Sequence, residues 1–330
     1  MPLFAPTSVL LLSTAFTTSY LGSIYLLPST RISLPPPPPT ASDATDLANS
    51  IPASDPSAAA PEKRDRNHPA VIKARLLAVS FSSVSSCLAL PVVLSRYTGE
   101  SFSASIPPSL ELLGLTLPPT CADMARLVLF PLGLTASLFA GSLYIQYLEG
   151  ELPGQWRGGR WASLKQRFDG WRGMRTYVVA PLTEELTFRS CIVAVSYLGG
   201  WSAKWMVFLG PLWFGLAHVH HAWETYLARG RTKQGLIQGV AQSIFQFLYT
   251  TLFGWYATFL FLRTGSLIPP FLAHSFCNAM GLPPLGWALQ VWPEKKLSLW
   301  ASYLAGMATF SYGLWRWTEP ALWNGSLYWA

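Results

Sequence analysis

Apolar positions along this chain fall in long blocks rather than at a short period. Residues 7–27 form one such run, and seven more follow at about 72–95, 122–148, 176–199, 203–221, 236–262, 267–283 and 297–317. Each approaches the roughly 20 residues an α-helix needs to cross a hydrocarbon core of about 30 Å. In that medium the backbone must satisfy its own hydrogen bonds, so the runs predict helices. The pattern reads as an all-α fold, a polytopic membrane helical bundle of about eight transmembrane helices. No Lys or Arg precedes the first run, and it is long for the core of a signal peptide. Residues 1–27 are therefore expected to be an N-terminal transmembrane anchor rather than a cleaved leader. Residues 28–70, rich in Pro, Ser and Ala and including Pro35–Pro39, are expected to be a disordered loop, because they cannot bury a core. The stretch "SIPPSLELLGLTLPP" between the second and third runs reads as a short interfacial segment. Residues 71–320 then make one multi-helix domain without an obvious internal repeat, and residues 321–330 a C-terminal tail.

Composition supports a membrane protein. Of 330 residues, 51% are hydrophobic and only 12% charged, about half the charged share of a typical soluble domain. The net charge of +7 is not spread as a nucleic-acid surface would be, because the bases flank apolar runs. Lys63, Arg64, Arg66, Lys73 and Arg75 precede the second run, and Arg157, Arg160, Lys165, Arg167, Arg172 and Arg175 precede the fourth. Arg229, Arg231 and Lys233 precede the sixth, Lys295 and Lys296 the eighth, while the alternate connections offer little beyond Arg96, Arg126, Lys204 and Arg263. By the positive-inside rule the basic connections are cytosolic, and both termini lie on the opposite side. That side would include the sequon at Asn324. The four cysteines, Cys87, Cys121, Cys191 and Cys277, lie in or beside apolar runs with no CxxC, and read as buried thiols rather than disulfides or zinc ligands.

Ionisable groups inside such runs mark functional sites by default, because the bilayer makes them costly. In "APLTEELTFRS", Glu185 and Arg189 are four apart and can pair on one helix face, whereas Glu184 points about 100° away. Glu185–Arg189 reads equally as a buried ion pair that locks the helix or as part of a site. Glu184 has no such partner, since Phe188 occupies its fourth place on. In "WFGLAHVHHAWE", Phe214 stands four before His218, and in "AHSFCNAMG", His274 stands four before Asn278. The alternating topology brings Glu184, His218, His274 and Asn278 to similar depth near the cytosolic face. His220 and His221 read as interfacial, Asn278 could also be packing glue between helices, and the stripe Gln238, Gln242 and Gln246 could line a cavity or bind a neighbouring helix, with packing the favoured reading.

A carboxylate, two imidazoles and a carboxamide suit amide hydrolysis. The carboxylate and one imidazole can deprotonate water, and the other imidazole and the carboxamide can donate to an oxyanion. Cys277, three after His274 on one helix, does not form a nucleophile–base pair.

These residues resemble the glutamate intramembrane proteases of the CAAX prenyl protease type II family, the Ras-converting enzymes. Their pattern EExxxR, FxxxH and HxxxN stands here as Glu184-Glu185 with Arg189, Phe214 with His218, and His274 with Asn278, within a likeness over about residues 176–284. The resemblance implies an endopeptidase that removes the last three residues of prenylated CAAX proteins, farnesyl or geranylgeranyl, at the endoplasmic reticulum membrane. It implies catalytic Glu184, His218, His274 and Asn278, supported by Glu185, Arg189 and Phe214. It implies no cofactor and no metal. The partners are then those substrates and membrane lipid, with no nucleic acid. The alternatives are a zinc-dependent intramembrane hydrolase built on His218, His220, His221 and a glutamate, which lacks any HExxH pair, and a non-enzymatic channel or transporter.

Overall fold

The computed structural model describes residues 2–32, 65–152, 155, 168–323 and 325–329. The expected Pro-rich loop lies mostly outside the described residues, as do Lys63, Arg64, Arg157, Arg160, Lys165, Arg167 and Asn324. The described residues contain helices and no strand.

Each apolar run is helical, and local chemistry sets most of the ends. α1 (Pro6–Leu26) and α2 (Pro69–Thr98) both open on proline at the first turn, where its missing N–H costs nothing. α2 ends at Gly99, whose positive φ of 78° closes the helix. α3 (Phe102–Leu112) is capped by Ser101, and α4 (Cys121–Leu138) by Thr120, each hydroxyl accepting a backbone N–H. The third run is interrupted at Phe139, beyond which α5 (Ala140–Glu149) continues. α6 covers residues 170–198 as one helical path holding two π-helical stretches, Met174–Val179 and Leu186–Cys191. α7 (Ala203–Ala217) stops before its run does, and α8 (His220–Ala228) follows in a new direction. α9 (Lys233–Thr264), α10 (Ile268–Met280), α11 (Leu285–Val291) and α12 (Lys296–Arg316) complete the order.

Pro6–Leu26, Pro69–Thr98, Cys121–Leu138 and Lys233–Thr264 are each long and apolar enough to cross a membrane. α9, with 32 residues, is about 48 Å long, whereas α10, with 13, is only about 20 Å, short of a full crossing. The expectation of about eight spans is therefore matched in the position of the helical segments, but not in the length of each.

α6 sits at the centre. Its residues 187–196 are all buried, among them Phe188, Arg189, Ile192 and Val195. They pack against Phe214 of α7 and Phe261 and Leu262 of α9. The outer faces are apolar as well: Leu77 and Phe81 of α2, Ile244 and Leu252 of α9 and Leu297 of α12 are more than half exposed. Water would not favour such a surface over so many helices, and lipid does.

The segment expected to be interfacial is tied to the bundle at Leu112 and Leu113, while Leu110, Leu115 and Leu117 stay exposed. Leu112 and Leu113 at the end of α3 are buried, and the carbonyl of Leu113 accepts the Ser190 hydroxyl of α6 at 2.6 Å. The Leu112 carbonyl accepts the hydroxyl of Tyr328. Side-chain donors thus occupy carbonyls that a helix end leaves free. Described residues of the C-terminal tail are tied back in the same way, Trp323 Nε1 donating to the Arg263 carbonyl at 3.0 Å.

The basic connections that lead into α2 and α6 meet at one end of the bundle. Arg175 at the start of α6 donates to the Arg66 carbonyl at 2.9 Å and to Asn67 Oδ1 at 3.2 Å, and the Lys73 ammonium lies 4.7 Å above the Trp171 ring. Tyr25 at the end of α1 reaches Glu224 of α8 at 3.0 Å. Asn278 at the end of α10 donates to the Thr176 carbonyl at 2.8 Å.

Candidate active site

Glu184 and Glu185 lie between the two π-helical stretches of α6, where the change of helical register turns neighbouring side chains to different surroundings. Glu185 is fully buried. Its Oε1 accepts from Arg189 Nη1 at 3.1 Å and from His274 Nδ1 of α10 at 2.7 Å. A carboxylate oxygen accepts, so the proton of that short bond sits on Nδ1. The other ring nitrogen, Nε2, is 3.7 Å from Glu184 Oε2, beyond hydrogen-bond range. The His274 imidazole thus stands in the angle between two adjacent carboxylates, bonded to one and facing the other.

The Arg189 guanidinium is enclosed by aromatic rings, 4.4 Å from the centre of Phe214 and 5.6 Å from that of Phe253. Arginine tolerates this position because its flat, weakly hydrated cation stacks on rings. Gly254 permits the closeness: a Cβ there would fall 2.5 Å from the Pro211 ring of α7 and 3.3 Å from Arg189 Nη2.

Phe214 also separates the two catalytic candidates among the histidines, with its ring centre 4.7 Å from that of His218 and 6.3 Å from that of His274. His218 stands at the end of α7, where its Nδ1 donates to the Phe214 carbonyl at 2.7 Å. His220 Nδ1 donates likewise to the Ala217 carbonyl at 2.6 Å. Two imidazoles thereby satisfy orphan carbonyls of one helix end, which explains why α7 stops there. The bond also fixes the neutral tautomer of His218, leaving the lone pair on Nε2.

Glu184, Phe214, His218, His274 and Asn278 line one cavity of about 430 Å³, with Glu185 and Arg189 behind its wall. Every residue singled out in the three motifs is therefore in or against one site. Three details refine the expectation. Asn278 commits an amide hydrogen to the Thr176 carbonyl in the first π-helical stretch, and so ties α10 to α6. Gln242 and Gln246 line cavity walls, and Gln242 also accepts from Thr225 of α8 at 3.5 Å. Of the thiols, Cys121 is exposed, while Cys191 and Cys277 are buried and Cys87 lies with its Sγ 3.7 Å from that of Cys191. Helical spacing could not reveal the Glu185–His274 bond, which joins residues 89 apart.

His220, His221 and Glu224 bring ligand-type atoms within 4.8 Å of one another and, among the described residues, are the group that could hold a metal ion. His218, part of the expected zinc set, is not in that group. The Glu224 carboxylate already accepts from Tyr25 at 3.0 Å and His221 at 3.2 Å, and Arg75 Nη2 stands 3.9 Å away. Burial alone would raise the Glu224 carboxyl, but the bonds from His221 and Tyr25 outweigh it and hold it down to about 2. A guanidinium beside the group opposes a second cation.

The family model described as Type II CAAX prenyl endopeptidase Rce1-like matches residues 166–280, which contain all three motifs. The chain is 39% identical to CAAX prenyl protease 2 of Homo sapiens over 270 residues, covering 79% of this chain and 76% of the human one. It is 37% identical to the probable CAAX prenyl protease 2 of Schizosaccharomyces pombe over 221 residues, 67% of this chain and 72% of that one. This chain belongs to the Rce1-like family of type II CAAX prenyl endopeptidases. The CAAX prenyl protease 2 of Arabidopsis thaliana is 35% identical over 217 residues, 60% of this chain and 66% of the plant protein. No solved structure matches the chain. As an Rce1-like protein it is a multi-pass membrane protease of the CAAX-processing type, and its cavity between helices is the place to look for the hydrolytic groups.

Proposed function

We propose that this CAAX prenyl endopeptidase hydrolyses the bond after the prenylated cysteine, releasing the last three residues, with Glu184 as the base. The observation that carries this is the half-buried Glu184 carboxylate, which shares one cavity with His218 and His274 and has no hydrogen-bonded partner committing it elsewhere. Glu184 takes a proton from water as the water oxygen attacks the scissile carbonyl carbon. The bare Nε2 of His218 orients that water, a role its fixed tautomer permits. His274 and Asn278 donate to the oxyanion. For His274 this requires a proton on Nε2 while Nδ1–H remains on Glu185, so the donating ring is the imidazolium, flanked by both carboxylates. When the intermediate collapses, the C–N bond breaks and Glu184 returns its proton to the leaving amine.

Glu185 and Arg189 position rather than react: the buried pair holds His274 in orientation, as the third member of a triad does. The substrate's lipid enters between helices at the end where the basic connections meet. We assign that end to the cytosol, and the membrane to the endoplasmic reticulum, because prenylated C-termini lie at the cytosolic leaflet. Cleavage by purified protein should survive a strong chelator. Abolition by chelator and restoration by zinc would favour the His220–His221–Glu224 group as a metal centre instead.

A further inference from the structure

Three guanidinium groups line the same cavity and take no part in the hydrolysis described above: Arg66, Arg75 and Arg175. Among the described residues on its walls, Glu184 is the one carboxylate. Three guanidinium groups facing one carboxylate leave this cavity with a surplus of positive charge, which suits an incoming anion.

Their existing bonds distinguish them. Arg175 is committed, donating to the Arg66 carbonyl and to Asn67. Arg75 is anchored through Nε on the Thr30 carbonyl at 2.8 Å, but its Nη2 is buried without a hydrogen-bond partner. The nearest carboxylate, Glu224, is 3.9 Å from it and already holds Tyr25 and His221. Glu224 and Asp65 line an adjoining cavity of about 740 Å³ rather than this one. The Arg66 side chain is exposed and borders both. An anchored fork with one free arm, beside a second and exposed cation, suits a planar carboxylate.

We propose that Arg75, assisted by Arg66, binds the free C-terminal carboxylate of the substrate and so measures three residues back to the scissile bond. The inference rests on the proteolytic reading of the site. An enzyme that removes three residues must tell a chain end from an internal peptide bond, and the terminal carboxylate is the one group that marks it. An extended tripeptide spans roughly 10 Å, a length for one cavity to hold between its catalytic carboxylate and its cationic wall.

The test uses the full-length protein in detergent with two farnesylated CAAX peptides, identical except that one ends in a free carboxylate and the other in a carboxamide. The wild type should prefer the acid by about tenfold or more in kcat/KM, chiefly through KM, as for loss of a charge-assisted bond. Added salt should erode the preference. Arg75→Gln should raise KM for the acid peptide, leave the amide peptide unchanged and bring the ratio toward one, and Arg75→Lys should recover part of it. Arg66→Gln, at an exposed side chain, should lower the ratio less and serves if Arg75→Gln fails to fold. Equal cleavage of both peptides by the wild type would overturn the assignment, as would variants that lose activity on both in proportion. Cleavage of neither peptide would overturn the proteolytic reading itself, and the assignment with it.

Discussion

Glu184 keeps its carboxylate half-buried and 3.7 Å from His274 Nε2, while the carboxylate of its neighbour Glu185 is sealed in the core and bonded to Arg189 and His274. The two should therefore fail differently when mutated. Glu184→Ala should lower turnover by about 10² to 10⁴-fold or more, as loss of a general base does, with an unchanged melting temperature. His218→Ala should match it. Near-normal turnover in Glu184→Ala would remove it from the chemistry. Arg189→Ala leaves a buried carboxylate without its cation and should cost roughly 3–5 kcal/mol of stability, read as a lowered melting temperature in detergent. His274→Ala and Asn278→Ala should depress kcat more than they raise KM, one oxyanion donor being worth about 3 kcal/mol elsewhere. Asn278→Ala should in addition loosen the α6–α10 contact, because it loses the bond to Thr176. A change confined to KM would point to ground-state binding instead.

At the scale of the helix, the site depends on α6, α7, α9 and α10 meeting closely around a buried cation. Gly254 leaves little clearance there, since any Cβ meets the Pro211 ring, which cannot rotate away. Gly254→Ala should destabilise by about 1–3 kcal/mol and reduce activity through displacement of Arg189, measured by thermal unfolding beside turnover. Much of this architecture was legible in the chain. Runs of apolar residues located the helices, because a bilayer leaves the backbone no alternative, and four-residue spacings located Glu185–Arg189, Phe214–His218 and His274–Asn278. Other features could not be read. The end of α7 at His218 depends on imidazoles capping their own helix, and the π-helical stretches depend on packing around Glu184 and Glu185. The Gln242–Gln246 face looked like a packing stripe because spacing reports which residues share a face but not what lies opposite. The basic residues were read only as topology markers, so the inward placement of Arg75 was missed. Arg75 sits in the same charged cluster as the residues that flank the helix, and only coordinates separate it from them.

For the whole molecule, basic residues of two connections, Arg66, Arg75 and Arg175, line the cavity. Replacing Cys87, Cys121, Cys191 and Cys277 together by Ala should leave measurable cleavage, since none is placed as a nucleophile, and complete loss in a folded protein would revive thiol catalysis. On that background, Lys233→Cys beside the basic connection should react with an impermeant thiol reagent from the cytosolic side, and Ser202→Cys from the opposite side. The reverse pattern would put the cavity on the wrong face for prenylated substrates. The most direct measurement is to incubate purified wild-type protein and its Glu184→Ala variant in detergent with a farnesylated CAAX peptide and weigh the products. The wild type should yield the farnesylated peptide shortened by three residues together with the intact tripeptide, and the folded variant should yield neither. Cleavage at another bond, no cleavage by the wild type, or equal product from the variant would contradict hydrolysis by Glu184.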